Sequence, residues 1–163
     1  MRKPILGLLL LACVAALAFN GLGQQSSNQS VADEVIVVTK AQWAAEMRDP
    51  TNVAEEMKSV ADDYTEFNGD YATRLEGKAM SMRLGEASGS SSVKTVASEM
   101  ANPKVQVYNG DVAILSYNYV GVTKDKDGKT EPARAKSTRI YVKQGGKWML
   151  VHANFASDPL PRQ

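Results

Sequence analysis

The sequence predicts an α+β fold in which short helices come first and an antiparallel β-meander comes last. Before residue 93, apolar residues recur mainly at the spacing of amphipathic helices. From Val93 onward, runs rich in aliphatic residues and tyrosine alternate with glycine-containing turns, which is typical of hairpins. Helices followed by a run of strands indicate an α+β domain whose helices cover one face of the sheet.

Residues 1–23 have the pattern of a secretory signal peptide. Two basic residues precede the apolar run "ILGLLLLACVAALAF", which is too short for a stable membrane span. Small residues predict cleavage after Ala18 or after Gly23, so we expect a secreted or periplasmic protein. The alternative is a lipoprotein, because "LLAC" ending at Cys13 weakly resembles a lipid-anchoring signal.

Removal of residues 1–23 would leave 140 of the 163 residues, the size of one domain. The net charge would change from +1 to −1, and the loss of Cys13 would leave no cysteine for a disulfide. A near-neutral charge without a basic run gives no electrostatic footprint for nucleic acid. With His152 as the only histidine and no glycine-rich phosphate loop, we expect no metal and no cofactor.

The first elements are a leader and two helices. Gln24–Asp33 is rich in Ser, Gln and Asn and is predicted to be a flexible leader. Glu34–Arg48 has apolar residues on one side of a helix, although its "VIVV" run also suits a strand. Asp49 is then expected to cap a short helix with Pro50 at its first position, running to Ala61.

A brief strand and a third helix complete the first half. Asp62–Phe67 alternates enough for a strand, and "NGD" after it turns the chain. Gly77–Leu84 is predicted to be a helix that Gly85 ends, and Gly85–Ser92, "GEASGSSS", is predicted to be a loop.

The second half is predicted to hold four strands joined by tight turns. "NG", "KDKDGK" and "QGG" mark the turns, and "NG" is a strong hairpin signal. The strands are Val105–Tyr108, Asp111–Val122, Ala133–Lys143 and Lys147–Ala156.

Alternation along a strand predicts which side chains share a face. On the last strand the wholly apolar set is expected to face a dry interface, and the mixed set a pocket or a subunit contact. The apolar set is Met149, Val151, Ala153 and Phe155, and the mixed set is Trp148, Leu150, His152 and Asn154. Further shared faces are Ala113, Leu115, Tyr117 and Tyr119 on one strand and Ser137, Arg139 and Tyr141 on the next.

The runs "DVAILSYNYVG" and "ARAKSTRIYVKQGGKWMLVHANFA" resemble the carboxy-terminal half of SnoaL-like proteins, here a secreted branch. These proteins belong to the nuclear transport factor 2-like superfamily, which also includes the association domain of calmodulin-dependent kinase. The early Trp43 and the "DDY" motif starting at Asp62 fit the same pattern, so the resemblance spans residues 34–158 and leaves 159–163 as a tail.

The resemblance implies a cone-shaped, curved antiparallel sheet wrapped around about three helices, with a pocket at the wide end. Related proteins include ketosteroid isomerases, polyketide cyclases, dehydratases, and members that only bind or assemble. The fold therefore does not choose among these functions.

The residues suggest one catalytic hypothesis and one structural alternative. His152 would act as the base, because imidazole titrates near neutral pH, with a hydroxyl from Tyr117 or Tyr64 and a carboxylate from Asp62 or Asp63. The alternative is that His152 hydrogen-bonds to a neighbouring strand or lies in a dimer contact.

Six further residues are candidates for ligand binding: Trp43, Tyr64, Phe67, Tyr119, Arg139 and Asn154. Trp43 and Tyr64 equally suit the core. A buried Arg139 needs a partner, either the carboxylate of a ligand or an acid such as Glu66.

Three functions remain open on this basis. The first is a protein that binds a small, partly apolar molecule in the pocket and forms a homodimer through its sheet. The second is a cofactor-free proton-transfer enzyme of isomerase, cyclase or dehydratase type, with His152 as base. The third is an association module like that of the calmodulin-dependent kinase.

Overall fold

The computed structural model describes residues 5–88 and 93–158, with side chains for residues 27–87 and 93–158. It confirms the α+β prediction. The helices are α1 (Ile5–Arg48), α2 (Val53–Glu56) and α3 (Lys78–Ser88), and a 3₁₀ turn at Met57–Ser59 follows α2. The strands are β1 (Val60–Phe67), β2 (Leu75–Glu76), β3 (Lys94–Tyr108), β4 (Val112–Lys124), β5 (Thr130–Gln144) and β6 (Lys147–Ser157).

The strands of the described ranges form one sheet in the order β2-β1-β6-β5-β4-β3. All neighbours are antiparallel except β1 and β6, which pair in parallel, with Thr65 beside His152. The expectation of a wholly antiparallel sheet is therefore wrong at this one pair. Because β1 and β6 lie far apart in the chain, no tight turn imposes an antiparallel direction on them.

The tight turns between the later strands agree with the sequence. Asn109 and Gly110 have φ of 52° and 77°, the left-handed conformation that an "NG" hairpin turn requires. Gly128 and Gly146 also have positive φ, in the turns between β4 and β5 and between β5 and β6. The predicted strands are confirmed, and β3 extends further toward the amino terminus than expected.

The first helix is longer than the sequence suggests. The predicted helix over Glu34–Arg48 is confirmed, but Gln24–Asp33 is helical rather than a flexible leader. Val31, within that segment, is buried and joins Val35 and Trp43 in the hydrophobic core. Burial of an apolar side chain stabilises the helical conformation of this otherwise polar segment.

Helix α1 covers one face of the sheet, here called the inner face. Thr39 Oγ1 and Tyr141 Oη lie 2.8 Å apart in a buried hydrogen bond between α1 and β5. Trp148 Nε1 donates to Glu34 Oε2 at 2.8 Å and ties β6 to the same helix. The inner face therefore holds the core, and the opposite side of the sheet is called the outer face.

The second helix begins later than predicted. Asn52, not Asp49, is the N-cap of α2, and its Oδ1 accepts a hydrogen bond from Glu55 N at 3.2 Å. Asp49 instead accepts bonds from the backbone N and the hydroxyl of Thr51 and so closes the preceding turn. The helix is short because β1 already starts at Val60, which pairs with β6.

Gly85 does not end the third helix, as the sequence suggested, but lies inside it. A Cβ atom at Gly85 would lie 3.1 Å from Val53 Cγ1, tighter than most real contacts. The missing side chain thus allows α3 to approach α2 closely.

An extra residue in β6 reverses the predicted faces of its second half. Tyr141 pairs with Leu150 and Ile140 pairs with His152, so Val151 is an additional residue at a β-bulge. Beyond the bulge, Ala153 is fully buried on the inner face, while His152 is only half-buried. The predicted grouping of His152 with Trp148 and Leu150 is therefore wrong, because a bulge shifts the alternation by one residue.

Candidate functional site

A cavity of about 330 Å³ opens between the carboxyl end of α1, the α2 region, β1 and the inner face of the sheet. Its size lies in the range of small-molecule sites. The lining residues are Gln42, Trp43, Glu46, Met47, Glu56, Met57, Tyr64, Glu66, Asn68, Thr95, Ser98, Tyr117, Tyr119, Arg139 and Phe155.

Aromatic side chains form one wall of this cavity. The ring of Trp43 meets Tyr117 edge-on at 5.5 Å between centroids and Tyr119 at 5.3 Å. Trp43, Tyr64 and Tyr117 also belong to the hydrophobic core. The two predicted roles of Trp43 and Tyr64, core residue and cavity wall, therefore coincide, and edge-to-face packing holds the Trp43 ring in place.

Arg139 lies at the inner end of the cavity and is 5% exposed. Its Nε donates to Tyr117 Oη at 2.9 Å and its Nη1 donates to Gln42 Oε1 at 2.5 Å. The guanidinium also lies over the ring of Phe155, 5.4 Å from the centroid. Within residues 27–87 and 93–158 no carboxylate forms a salt bridge with it, so the pairing with Glu66 that the sequence left open does not occur.

Three acidic side chains share the cavity with Arg139. Glu66 accepts a hydrogen bond from Tyr64 Oη at 2.6 Å through Oε2 and one from Asn68 Nδ2 at 3.0 Å through Oε1. Burial raises the pKa of Glu46, although the positive charge of Arg139 opposes the change. Glu46 and Glu56 were not recognised in the sequence as site residues.

The pKa of Glu56 is shifted further than that of Glu46, and burial is the first cause. Burial and the negative charges of Glu46 and Glu66 raise the pKa of Glu56 to about 7. The positive charge of Arg139 acts in the opposite direction. Glu56 therefore changes its charge near neutral pH, a range in which histidine is normally the titrating side chain.

Two tyrosine hydroxyls of the cavity, those of Tyr64 and Tyr119, stay neutral. Burial, followed by the charge of Glu66 and the hydrogen bond to it, raises the pKa of Tyr64. Burial also raises the pKa of Tyr119, while a hydrogen bond with Thr95 acts in the opposite direction. Both groups therefore act as hydrogen-bond donors or acceptors and not as bases.

Four of the predicted site residues lie outside the cavity. His152 is on the outer face, where its Nδ1 lies 2.8 Å from Thr65 Oγ1 and its ring meets Phe67 at 6.0 Å. Phe67 is 48% exposed, and Asp63 and Asn154 are exposed as well.

The predicted catalytic group of His152, Asp63 and Tyr117 is consequently not assembled. Tyr117 lies on the inner face, and the sheet separates it from His152. The physical reason is the bulge at Val151, which turns His152 to the outer face. Of the nine predicted residues, Tyr117, Trp43, Tyr64, Tyr119 and Arg139 do line the cavity.

The sequence of α1 contains a pattern that could have identified Gln42 and Glu46 as cavity residues. Gln42 and Glu46 are four residues apart, and Glu46 follows Trp43 by three, so helical spacing puts all three on neighbouring positions of one face. No comparable spacing pattern pointed to Glu56. Its position in the cavity depends on where α2 ends and on how α2 packs.

In the part of the chain that the structure describes, no helix has both the length and the apolar character needed to cross a membrane. Within the same ranges, no three acidic, histidine or cysteine side chains are arranged to hold a metal ion.

Residues 32–159 match the family described as the calcium/calmodulin dependent protein kinase II association domain. A calcium/calmodulin-dependent protein kinase type II from Caenorhabditis briggsae is 27% identical over 64 residues. That alignment covers 39% of this chain and 12% of the kinase, so the chain corresponds to a small part of that relative.

Solved structures show the same fold. The association domain of the C. elegans kinase superposes with a TM-score of 0.66 at 18% identity, covering 80% of this chain and 98% of that chain. A nuclear transport factor 2-like protein of unknown function from Pseudomonas putida KT2440 gives a TM-score of 0.65 at 17% identity, covering 80% and 88%. The predicted superfamily is thereby confirmed at the level of the fold.

Proposed function

Because the chain belongs to the calcium/calmodulin dependent protein kinase II association domain family, we propose that it is a self-association module that forms a homo-oligomer. Family membership across residues 32–159 is the observation that carries the proposal. The homodimer expected from the sequence is one such assembly.

The outer face of the sheet supports self-association. It carries a band of aliphatic side chains that are only half-buried, while α1 covers the opposite face. Uncovered apolar bands of this kind mark interaction surfaces, and a symmetric dimer uses the same patch on both subunits. The band consists of Val112, Ile114, Ile140, Val142, Met149 and Val151.

Light scattering after size exclusion tests this proposal on the chain that begins at Gln24. We expect a dimer or larger assembly at micromolar concentration, and we expect Ile140→Lys, in the middle of the band, to dissociate it. Val37→Lys is the matched control, because Val37 is 65% exposed on α1 and away from the sheet. A monomeric wild type, or assembly that withstands Ile140→Lys in a folded protein, would contradict the proposal.

A second candidate function is the binding of a small, partly apolar molecule in the cavity. The combination of an aromatic wall with a few convergent polar side chains supports it. The two functions are compatible, since the cavity and the aliphatic band lie on opposite faces of the sheet. The proton-transfer alternative loses its support, because His152 does not face the cavity.

Export remains a proposal that rests on the sequence of residues 1–23, as does the assignment to a secreted SnoaL-like branch. Intact-mass analysis of the protein made in its native host tests export. Cleavage predicts a mature chain starting at Phe19 or Gln24, and lipidation predicts one starting at a modified Cys13. A chain that retains its first residues would contradict both.

A further inference from the structure

We propose that the cavity binds a small zwitterion, a molecule with one ammonium group and one carboxylate on a partly apolar body. This inference rests on ligand binding in the cavity and is independent of self-association. It follows from the charges that line the cavity, taken one at a time.

Arg139 supplies the site for the carboxylate. It is 5% exposed, lines the cavity, and its hydrogen bonds to Tyr117 and Gln42 go to neutral groups. Across residues 27–87 and 93–158 no acidic side chain pairs with it as a salt bridge. A buried guanidinium without a carboxylate in direct contact is costly, and its planar fork of donors matches a carboxylate.

The acidic side chains supply the site for the ammonium group. Glu46, Glu56 and Glu66 line the same cavity, and no lysine or second arginine is among the described lining residues. When all are ionised, negative charges exceed positive ones by two. The three carboxylates are not arranged to hold a metal ion, so an organic cation fits the excess better.

The aromatic wall adds a further reason to expect an ammonium group and an apolar body. Trp43 and Tyr119 present rings to the cavity beside Glu46, and a cation over such a ring is attracted by its electrons. Met57 and Phe155 provide apolar surface for the rest of the ligand.

A ligand with only an ammonium group or only a carboxylate would match only part of the charges that line this cavity. An amine without a carboxylate would leave the Arg139 guanidinium with hydrogen bonds to neutral groups and no carboxylate in direct contact. A carboxylate without an amine would add a negative charge to a cavity in which three acidic side chains already face a single arginine. A zwitterion meets both requirements without changing the net charge of the cavity.

Two matched sets of probes test the proposal by calorimetry on the chain that begins at Gln24. One set is phenylalanine, phenethylamine and 3-phenylpropionate, and the other is 6-aminohexanoate, hexylamine and hexanoate. The two zwitterions differ in the spacing of their charges, so the probes cover both a short and a long separation. We expect at least one zwitterion to bind at least tenfold more tightly than both of its singly charged analogues.

A pair of adjacent variants tests the role of the acids. Glu56→Gln removes a charge from the cavity, whereas Glu55→Gln removes one from the neighbouring residue, which pairs with Lys58 at the surface. We expect Glu56→Gln to weaken binding of the zwitterion about tenfold, the scale of one lost charge-assisted hydrogen bond. Glu55→Gln should leave it unchanged.

The opposite results would overturn the proposal. Tightest binding by a carboxylate-only probe would make the cavity an anion site, and tightest binding by an amine-only probe would make it a cation site. Binding of none of the six probes would also refute it. Light scattering on the same samples reports self-association separately, so a failure of this inference is distinguishable from a failure of the association proposal.

Discussion

The raised pKa of Glu56 should make the stability of this protein depend on pH. The folded-state pKa of about 7 lies above the ordinary value of 4.5, mainly because Glu56 is buried beside other acids. Between these two pH values the folded state holds more protons than the unfolded state, so the free energy of unfolding falls as pH rises. Below pH 4.5 both states are protonated and the effect vanishes.

Replacement of Glu56 by Gln should therefore remove part of this pH dependence. We expect Glu56→Gln to match the wild type near pH 4.5 and to be more stable above pH 7 by about 1–2 kcal/mol, with allowance for solvent screening. Urea unfolding at several pH values measures the difference. Glu55→Gln is the control, and an equal slope in wild type and Glu56→Gln would contradict the assignment.

Gly121 controls the position of Tyr119 in the cavity wall. A Cβ atom at Gly121 would lie 2.6 Å from Tyr119 Oη and 2.8 Å from the edge of its ring, so the ring has to move. We expect Gly121→Ala to destabilise the protein by about 1–2 kcal/mol, the usual cost of overpacking, and to alter the fluorescence of the adjacent Trp43.

Gly69→Ala is the matched control for this change, because a Cβ atom at Gly69 meets nothing within 4 Å. It should leave both the stability and the Trp43 signal close to those of the wild type. A normal stability of Gly121→Ala would show that Tyr119 does not lie over Gly121.

The β-bulge in β6 decides which side chains reach the cavity. Up to Leu150 the strand follows the alternation that the sequence predicts, and the extra Val151 then turns His152 outward and Phe155 inward. Such bulges redirect a side chain locally while the rest of the ladder continues.

This arrangement predicts that His152 is irrelevant to ligand binding in the cavity. His152→Ala removes the hydrogen bond to Thr65 and should cost about 1 kcal/mol of stability. A cavity ligand should raise the melting temperature of wild type and His152→Ala equally. For comparison, Tyr119→Ala removes part of the cavity wall and should reduce the ligand-induced rise. If the ligand no longer raised the melting temperature of His152→Ala, the histidine would contribute to binding and the prediction would be wrong.

The long first helix joins the leader segment to the folded domain. Val31 is 7% exposed within the core, whereas Val37, on the same helix, is 65% exposed. We expect Val31→Ala to lower the free energy of unfolding by about 1–2 kcal/mol, as for a buried valine, and Val37→Ala to change it by less than about 0.5 kcal/mol. Chemical denaturation measures both. Equal effects would mean that residues 24–33 do not belong to the domain.

The two faces of the sheet separate two proposed activities of the protein. The aliphatic band on the outer face is available for a second copy, and the inner face encloses the cavity under α1. A substitution such as Ile140→Lys should therefore change assembly without changing the cavity, and Glu56→Gln should do the reverse.

Local patterns in the sequence were sufficient for the order of the elements, for the hairpin turns, and for the side chains that share a face with Tyr117 on one strand and with Arg139 on the next. These features depend on neighbours a few residues away, so periodicity and turn residues specify them. The same patterns also brought Trp43, Tyr64 and Tyr119 into the candidate site.

Contacts between distant segments decided the remaining features. The parallel pairing of β1 with β6, the bulge at Val151 and the gathering of Glu46 and Glu56 around Arg139 join residues that are far apart in the chain. Strand register and the burial of charges depend on packing across the whole domain, and no local period records them. For that reason His152, which the sequence offered as a candidate base, faces outward beside Thr65, and acids that were not predicted as site residues line the cavity.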